Sequence, residues 1–178
     1  VTLRTAACGI VSTGRADVSG TGVFCWGDSV ANGTGYYLDV TSLNHLQTVS
    51  AATQSFTAGA LNYNFRSAQT QAFGGNMILD GANWSFFGGD VTQDGTIDAS
   101  DGSLIDNDAF NFVSGCYLAT DINSDGTVDA TDAQITDNNV FNFVSVATPC
   151  PGPVSATVES TVPELNSNTV KTEMNAAE

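Results

Sequence analysis

Two acidic segments of the chain repeat each other and carry the side chains with the clearest chemistry. Residues 90–101 and 121–132 are identical at seven of twelve positions. Each segment has aspartate at positions 1, 5, 9 and 12 and glycine at position 6. Oxygen ligands at alternate loop positions, with glycine at the sharp turn, are the pattern that holds Ca²⁺, which takes six to eight oxygens. The repeat therefore predicts two calcium-binding loops.

Each loop offers six candidate ligands, and the ligand at position 7 is a main-chain carbonyl. The first set is Asp90, Thr92, Asp94, the Thr96 carbonyl, Asp98 and Asp101. The second set is Asp121, Asn123, Asp125, the Thr127 carbonyl, Asp129 and Asp132.

The alternative to calcium is a pair of acidic Asp-Gly turns that hold no metal. We favour two calcium ions because no Lys or Arg stands between Asp90 and Asp137, so the carboxylates would repel each other without a cation. Position 8 is Ile97 in one loop and Val128 in the other. We expect the two loops to contact each other through these apolar residues.

Similar helical segments follow the two loops. Residues 103–113 are repeated as residues 134–144. A loop followed by one helix, twice, with aspartate at position 12, resembles the type I dockerin domain over about residues 90–149. The resemblance implies EF-hand-like calcium binding and a cohesin-type protein partner. It also implies that positions 10 and 11, Ala99–Ser100 and Ala130–Thr131, meet that partner together with the following helix face.

The helices differ from those of the dockerins that they resemble in the charge of one segment. Those dockerins usually carry basic residues where this chain has residues 106–108, Asp-Asn-Asp, and residues 137–139, Asp-Asn-Asn. We expect the two helices to be amphipathic and to pack on each other, with part of the apolar surface against the preceding domain. The apolar residues that we expect in these contacts are Leu104, Phe110, Phe112, Ile135, Phe141 and Phe143.

Upstream of Asp90 the apolar residues recur with period two, which is typical of β-strands. Turn residues such as Asn32-Gly33 and Asp80-Gly81 separate the runs. Seven or eight short strands in residues 1–89 predict an immunoglobulin-like or prealbumin-like β-sandwich. The main predicted strands are Val23–Trp26, Tyr36–Val40, Leu46–Val49, Leu61–Arg66, Met77–Leu79 and Trp84–Phe87.

A second resemblance covers this β-rich half. The order of its motifs is similar to that in the sandwich-plus-dockerin-like terminal units of bacterial surface proteins exported by type IX secretion. The resemblance implies export to the cell surface. The motifs are residues 35–40 (GYYLDV), 44–48 (NHLQT), 61–65 (LNYNF), 72–77 (AFGGNM) and 88–90 (GGD).

Four cysteines point to an oxidising, extracellular compartment. Three pairings are possible, and the alternative is four reduced thiols. We expect disulfides between Cys8 and Cys25 and between Cys116 and Cys150, because each pair then stays inside one predicted domain.

The predicted fold class is mainly β with a small α module. It comprises a β-sandwich at 1–89, a dockerin-like calcium module at 90–150 and an extended tail at 151–178. In the tail, residues 154–162 are rich in β-branched residues. This stretch either belongs to a disordered tail or adds as a donor strand to an open sheet edge of its own or a neighbouring subunit.

Composition and motifs exclude several functions. The chain has a net charge of −15 and only four basic residues, which argues against nucleic-acid binding. It has no run long enough for a membrane span. The lone histidine, His45, fits a structural hydrogen bond better than a catalytic base, and no nucleophile or phosphate motif is present, so we expect no enzyme.

We therefore expect a secreted, calcium-stabilised structural subunit of a bacterial cell-surface filament or adhesive assembly, whose partners are copies of itself. The alternatives are a dockerin-type protein-binding module and a carbohydrate-binding module of a larger secreted protein. Glycans are a further expected partner class. Separately, Asn32 and Asn83 stand in sequons for covalent glycosylation.

Overall fold

The computed structural model describes residues 1–14 and 30–150, which are mainly β with two α-helices. Three single-turn 3₁₀ helices span Phe65–Ser67, Gln69–Gln71 and Phe73–Gly75. The strands are β1 (Thr2–Thr5), β2 (Ile10–Thr13), β3 (Gly35–Val40), β4 (Thr48–Val49), β5 (Gln54–Ser55), β6 (Ile78–Asp80) and β7 (Asn83–Ser85), and the helices are α1 (Ala99–Phe110) and α2 (Ala130–Phe141).

Five strands form one antiparallel sheet, and β6 and β7 form a separate hairpin. The sheet order is β2-β1-β3-β4, and β5 also pairs with β3. One face of the sheet is covered by the apolar cluster of Leu3, Tyr36, Leu38 and Phe56. We call the part of the chain before Gly88 the β module.

The irregular segment after β5 packs against this core. The sequence predicts a strand at Leu61–Arg66, and this prediction is wrong. Asn64 accepts a hydrogen bond from the Arg66 N–H through its side chain, and a 3₁₀ turn begins at Phe65. The alternation still has its expected effect on burial, since Leu61, Tyr63 and Phe65 pack against the sheet core. The Asn64 side-chain hydrogen bond thus takes the place of the backbone hydrogen bonds that a strand would make to a neighbouring strand. The same three side chains still face the core.

Of the other predicted strands, four have counterparts in the structure. The run from Tyr36 to Val40 lies within β3. Of the predicted strand Leu46–Val49, only the last two residues form a strand, β4. The runs beginning at Met77 and Trp84 form the β6–β7 hairpin. The predicted strand at residues 23–26 and the predicted donor strand at residues 154–162 lie outside the described residues.

The β module and the helical region share one apolar cluster. Leu46 and Phe87 of the β module pack with Ile97, Val140 and Val144 from the loop–helix repeats. Apolar side chains from before and after position 89 are therefore buried in the same cluster, and this shared burial stabilises both regions.

The disulfide connects the same two regions. Cys8 bonds to Cys150, with a Cα–Cα distance of 5.3 Å. The expected pairings of Cys8 with Cys25 and of Cys116 with Cys150 are wrong, and Cys116 is an exposed free thiol among the described residues. The expectation failed because it kept each bridge inside one domain. Instead, the turn between β1 and β2 lies beside the end of the helical region.

Replacement of Cys150 by serine should destabilise the whole described structure. The bridge spans 142 residues, and a cross-link of that length is worth about 2–5 kcal/mol because it restricts the unfolded chain. Urea unfolding of Cys150→Ser should show this loss, and Cys8→Ser should show a similar one. The matched control is Cys116→Ser, which should change the free energy of unfolding by less than about 0.5 kcal/mol. Peptide mapping without reduction should recover Cys8 linked to Cys150; a Cys116–Cys150 peptide would contradict the structure.

Candidate metal centre

The aspartate at position 1 of each loop is buried and receives hydrogen bonds from the loop's own main chain. Asp90 is 1% exposed. Its carboxylate accepts from the N–H of Asp94 at 3.2 Å and of Gly95 at 3.3 Å. These bonds close the loop over the first carboxylate. Gly95, with φ of 88°, supplies the left-handed backbone that the turn requires.

The aspartate at position 12 connects the loop to the helix. Asp101 is fully buried, and its carboxylate accepts from the N–H of Thr92 at 2.9 Å and of Asp98 at 3.0 Å. Asp98 in turn caps α1 by accepting from the N–H of Ser100 at 2.7 Å. These reciprocal bonds form a capping box, so the helix start is held by the same residues that are predicted to bind calcium.

The second loop repeats this arrangement. Asp121 accepts from the N–H of Asp125 at 3.1 Å and of Gly126 at 2.9 Å. Asp132, fully buried, accepts from the N–H of Asn123 at 3.0 Å and of Asp129 at 2.9 Å. The twofold sequence repeat is therefore also a repeat of hydrogen bonds.

The side chains at ligand positions 3, 5 and 9 lie on the solvent-exposed side of each loop. Asp94 accepts from the Thr96 N–H, and Asp125 accepts from the Thr127 N–H, each at 2.9 Å. Across the two loops these positions hold six exposed side chains: Thr92, Asp94, Asp98, Asn123, Asp125 and Asp129.

Negative charge accumulates in the loops, and the sequence has no Lys or Arg from residue 67 to residue 150. The ion pair between Arg4 and Asp39 lies in the β module. Burial, together with the nearby carboxylates of Asp101 and Asp94, raises the pKa of Asp90 to about 6. The exposed Asp98 shows the opposite effect, since the Ser100 hydroxyl and N–H hold its pKa below the ordinary value.

The donor set fits a hard cation. Each loop combines two buried carboxylates with exposed carboxylate, hydroxyl or amide oxygens, which are the ligand types that Ca²⁺ prefers. Within residues 1–14 and 30–150, no three Asp, Glu, His or Cys side chains are already grouped as a metal site. Calcium also accepts carbonyl, hydroxyl and water oxygens, so such a group is not a requirement. The twelve-residue ligand assignment stays a prediction.

Each loop pairs with the segment that follows the opposite helix. Ile97 donates its N–H to the carbonyl of Val144 at 3.0 Å, and Val128 donates to Val113 at 2.9 Å. The expected contact between position 8 residues is not what the structure shows, because Ile97 and Val128 lie in different apolar clusters. The start of each helix therefore lies beside the end of the other.

The segment of residues 43–46 in the β module contacts both loops. Gln93, at position 4 of the first loop, donates to the Leu43 carbonyl at 3.5 Å. Asn44 donates from its side-chain amide to the carbonyl of Asp121 at 2.6 Å, and its own carbonyl accepts from the Gly89 N–H at 2.8 Å. Sequence reasoning did not identify Asn44 as a contact of the loops, since its only signal was a place in the second resemblance.

The glycine pair before the first loop is required for close packing. A side chain at Gly88 would meet the Ile122 Cγ2 atom at 2.6 Å, and one at Gly89 would meet the Thr136 hydroxyl at 2.7 Å. The carbonyl of Gly88 also accepts from the Asn139 amide at 2.8 Å. The two glycines therefore form a buried junction between the β module and the first loop.

The helices present their first turns to water and bury only one face. Positions 10 and 11, Ala99–Ser100 and Ala130–Thr131, are exposed. The helices pack against each other as expected, with Ile105 buried and Ile135 partly buried.

The expected role of the four phenylalanines in that contact is wrong. Phe110, Phe112, Phe141 and Phe143 are all more than 80% exposed, and Leu104 is 47% exposed. Their place is taken by Val113 and Val144, which lie just after the helix ends and face inward.

Comparison with known families supports this description of the helical region. Residues 88–141 match the family model of the type I dockerin domain, a calcium-dependent protein-binding module. The match includes both loops and both helices and excludes the β module. Proteins that carry this domain are typically extracellular or assembled at the cell surface. The chain matches no curated protein and no solved structure. Neither helix in the described part of the chain is long and apolar enough to cross a membrane.

The raised pKa of Asp90 predicts an unusual pH dependence for the calcium-free protein. A carboxyl whose pKa is higher in the folded state than in the unfolded state favours folding when protonated, and this contribution is lost as pH rises through about 4 to 6. From pH 7.5 to pH 5, wild type should gain about 1 kcal/mol relative to Asp90→Asn, measured by urea unfolding in calcium-free buffer. Calcium affinity should change in the opposite direction, since protons compete for the ligand. Identical pH profiles for the two proteins would contradict this account.

Gly88→Ala should destabilise the fold by about 1–3 kcal/mol, because the new methyl group overlaps the buried Ile122 side chain. The matched control is Gly102→Ala in the first turn of α1, where nothing lies within 4 Å of the new methyl group. That control should stabilise the protein by about 0.5–1 kcal/mol. Both values follow from urea unfolding, and equal effects would show that the junction tolerates a side chain.

Proposed function

We propose that residues 88–141 are a docking module that attaches an extracellular chain to a cohesin-type protein partner when calcium is bound. The observation that carries the proposal is the doubled capping box. In each repeat the buried Asp at position 12 fixes the start of a helix, and the first turn of that helix has exposed side chains at positions 10 and 11. Positions 10 and 11, where dockerins meet their partner, stand in that first turn. A change in the loop therefore changes the surface offered to the partner.

We further propose that each loop holds one calcium ion, two in all, with the ligands assigned from the sequence. A bound cation supplies positive charge that offsets the buried carboxylates. The chain's own residues do the rest. Asp101 and Asp132 hold the loop and helix in register, and Asp98 and Asp129 cap the helices. Hydrogen bonds from Thr131 keep the pKa of Asp129 below its ordinary value, as Ser100 does for Asp98, so both caps stay ionised at lower pH than an ordinary aspartate.

The β module serves in this proposal as a rigid mount. Leu46 and Phe87 share a core with the helical region, and the Cys8–Cys150 bridge adds a covalent connection. A docking surface that is held in this way loses little orientational freedom on binding. An immunoglobulin-like or prealbumin-like origin for the β module belongs to the same proposal, and it is supported by the antiparallel strands.

The wider setting that we propose is a bacterial cell-surface assembly reached by type IX export, as the second sequence resemblance implies. Self-association into a filament rests on residues 151–178, which lie outside the described residues, so we rank docking first. Exposed Asn32 and Asn83 are suitable glycan acceptors. A carbohydrate-binding role has less support, because Trp84 is half-buried and Trp26 lies outside the described residues.

We propose no catalytic function. His45 forms a hydrogen bond of 3.0 Å with the Ser42 hydroxyl, and burial lowers the pKa of His45. The antiparallel bridge between His45 and Gly88 places this residue in the junction, which supports a structural role.

Calcium-dependent binding to purified cohesin domains tests the proposed function. Calorimetry should count two calcium ions on wild type and one on either Asp90→Asn or Asp121→Asn, whereas the exposed control Asp80→Asn should retain two. On a panel of immobilised cohesins, at least one should bind the full chain in calcium. Chelation should weaken that binding about a hundredfold, as expected when the binding-competent state depends on an ion present far above its Kd. Binding that survives chelation, or no binding to any cohesin, would refute the proposal.

A further inference from the structure

Four phenylalanines at the helix ends stand almost wholly in water. Phe110 and Phe141 are each 82% exposed, Phe112 is 86% exposed and Phe143 is 88% exposed. We call Phe110 with Phe112 the first Phe pair and Phe141 with Phe143 the second Phe pair. Single exposed apolar residues are ordinary, but a repeated pair of large aromatic side chains marks an interaction surface.

The backbone holds each pair in this exposed position. Phe112 and Phe143 have φ of 52° and 54°, in the left-handed region that favours glycine. Each residue terminates its helix with a hydrogen bond back to the last turn, from Phe112 to Ala109 at 3.1 Å and from Phe143 to Val140 at 3.0 Å. A bulky residue in this conformation is strained. Because both rings are more than 80% exposed, packing against the described residues offsets little of that strain. Such strain is typical of functional positions.

The surface beside each pair is negatively charged. Asp106 lies one helical turn before Phe110, and Asp137 lies one turn before Phe141, and both are exposed. No Lys or Arg occurs between Arg66 and the end of the described residues at Cys150. The surface at each helix end thus combines exposed aromatic rings with carboxylates that no Lys or Arg among residues 67–150 neutralises.

We propose that the partner of this module is a protein face with apolar pockets for the Phe pairs and a rim of Lys and Arg facing Asp106 and Asp137. This inference rests on the proposed docking function and specifies the partner's chemistry. Complementary charge selects that partner and speeds association, while the aromatic rings provide most of the affinity. An acidic partner face is rejected by like-charge repulsion.

A panel of cohesin domains, grouped by the net charge of their dockerin-binding faces, tests the charge preference. With calcium present, the full chain should bind basic-faced cohesins at least about tenfold more tightly than acidic-faced ones, and the preference should weaken as salt rises. Asp106→Lys combined with Asp137→Lys should reverse the preference, whereas Asp80→Lys on the β6–β7 hairpin should leave it unchanged. Preference for acidic faces would overturn the inference and leave the proposed function intact. Absence of all cohesin binding would overturn both.

The role of the aromatic rings has its own test. Because the surface occurs twice, Phe112→Gly and Phe143→Gly are combined in one variant. Glycine relieves the left-handed strain, so the melting temperature should rise, while affinity for the basic-faced cohesin should fall about a hundredfold. The matched control is Tyr117→Gly, since Tyr117 has φ of 60° and is 86% exposed but lies outside both pairs. It should also gain thermal stability and bind as wild type. Unchanged affinity in the Phe variant would overturn the inference.

Discussion

The burial of two carboxylates in each acidic loop is the constraint on which the rest of the structure depends. A buried carboxylate needs hydrogen-bond donors and opposite charge, and this region contains no basic side chain. The donors come from the loop's own backbone, which requires a tight turn with glycine at position 6 and a left-handed residue at position 4, Gln93 or Ser124. Two of these donors, the N–H groups of Asp98 and Asp129, belong to the capping boxes that begin the helices. The remaining negative charge is what makes a cation the natural partner of the folded loops.

The two repeats share this constraint but bury different surfaces, because only one of them faces the glycine junction. Ile105 in α1 corresponds to Thr136 in α2, and both are fully buried. Thr136 lies against Gly89, and Asn139, one turn later, donates to the Gly88 carbonyl. Polar groups on α2 therefore meet the main chain that enters from the β module, whereas Ile105 lies in an apolar cluster. Asn44 completes the connection through the Asp121 carbonyl, so the first residue of the second loop is tied directly to the β module.

Local patterns predicted the loops, the helices and several strands, and they failed where distant segments meet. The calcium-loop spacing and the capping box are properties of twelve consecutive residues, so they can be read from Asp90 to Asp101 alone. The Cys8–Cys150 bridge joins residues 142 positions apart, and no spacing rule brings them together. The exposure of Phe110 and Phe141 was missed for a related reason. Helical periodicity shows which residues share a face, but the partner that covers a face is decided by the turn that follows the helix, here through Val113 and Val144.

The four exposed phenylalanines could release free energy on binding, because their side chains are not buried within the described fold. Burying one such side chain is worth about 1.5–3 kcal/mol, and a left-handed backbone at a bulky residue costs about 1–2 kcal/mol. The described fold bears that cost at Phe112 and Phe143 and does not obtain the gain. The burial term favours association, since a partner that covers the rings recovers this energy, and the turn that carries them is already ordered before binding. The capping boxes and the paired loops hold that turn in place, which connects the buried carboxylates to the surface at the helix ends.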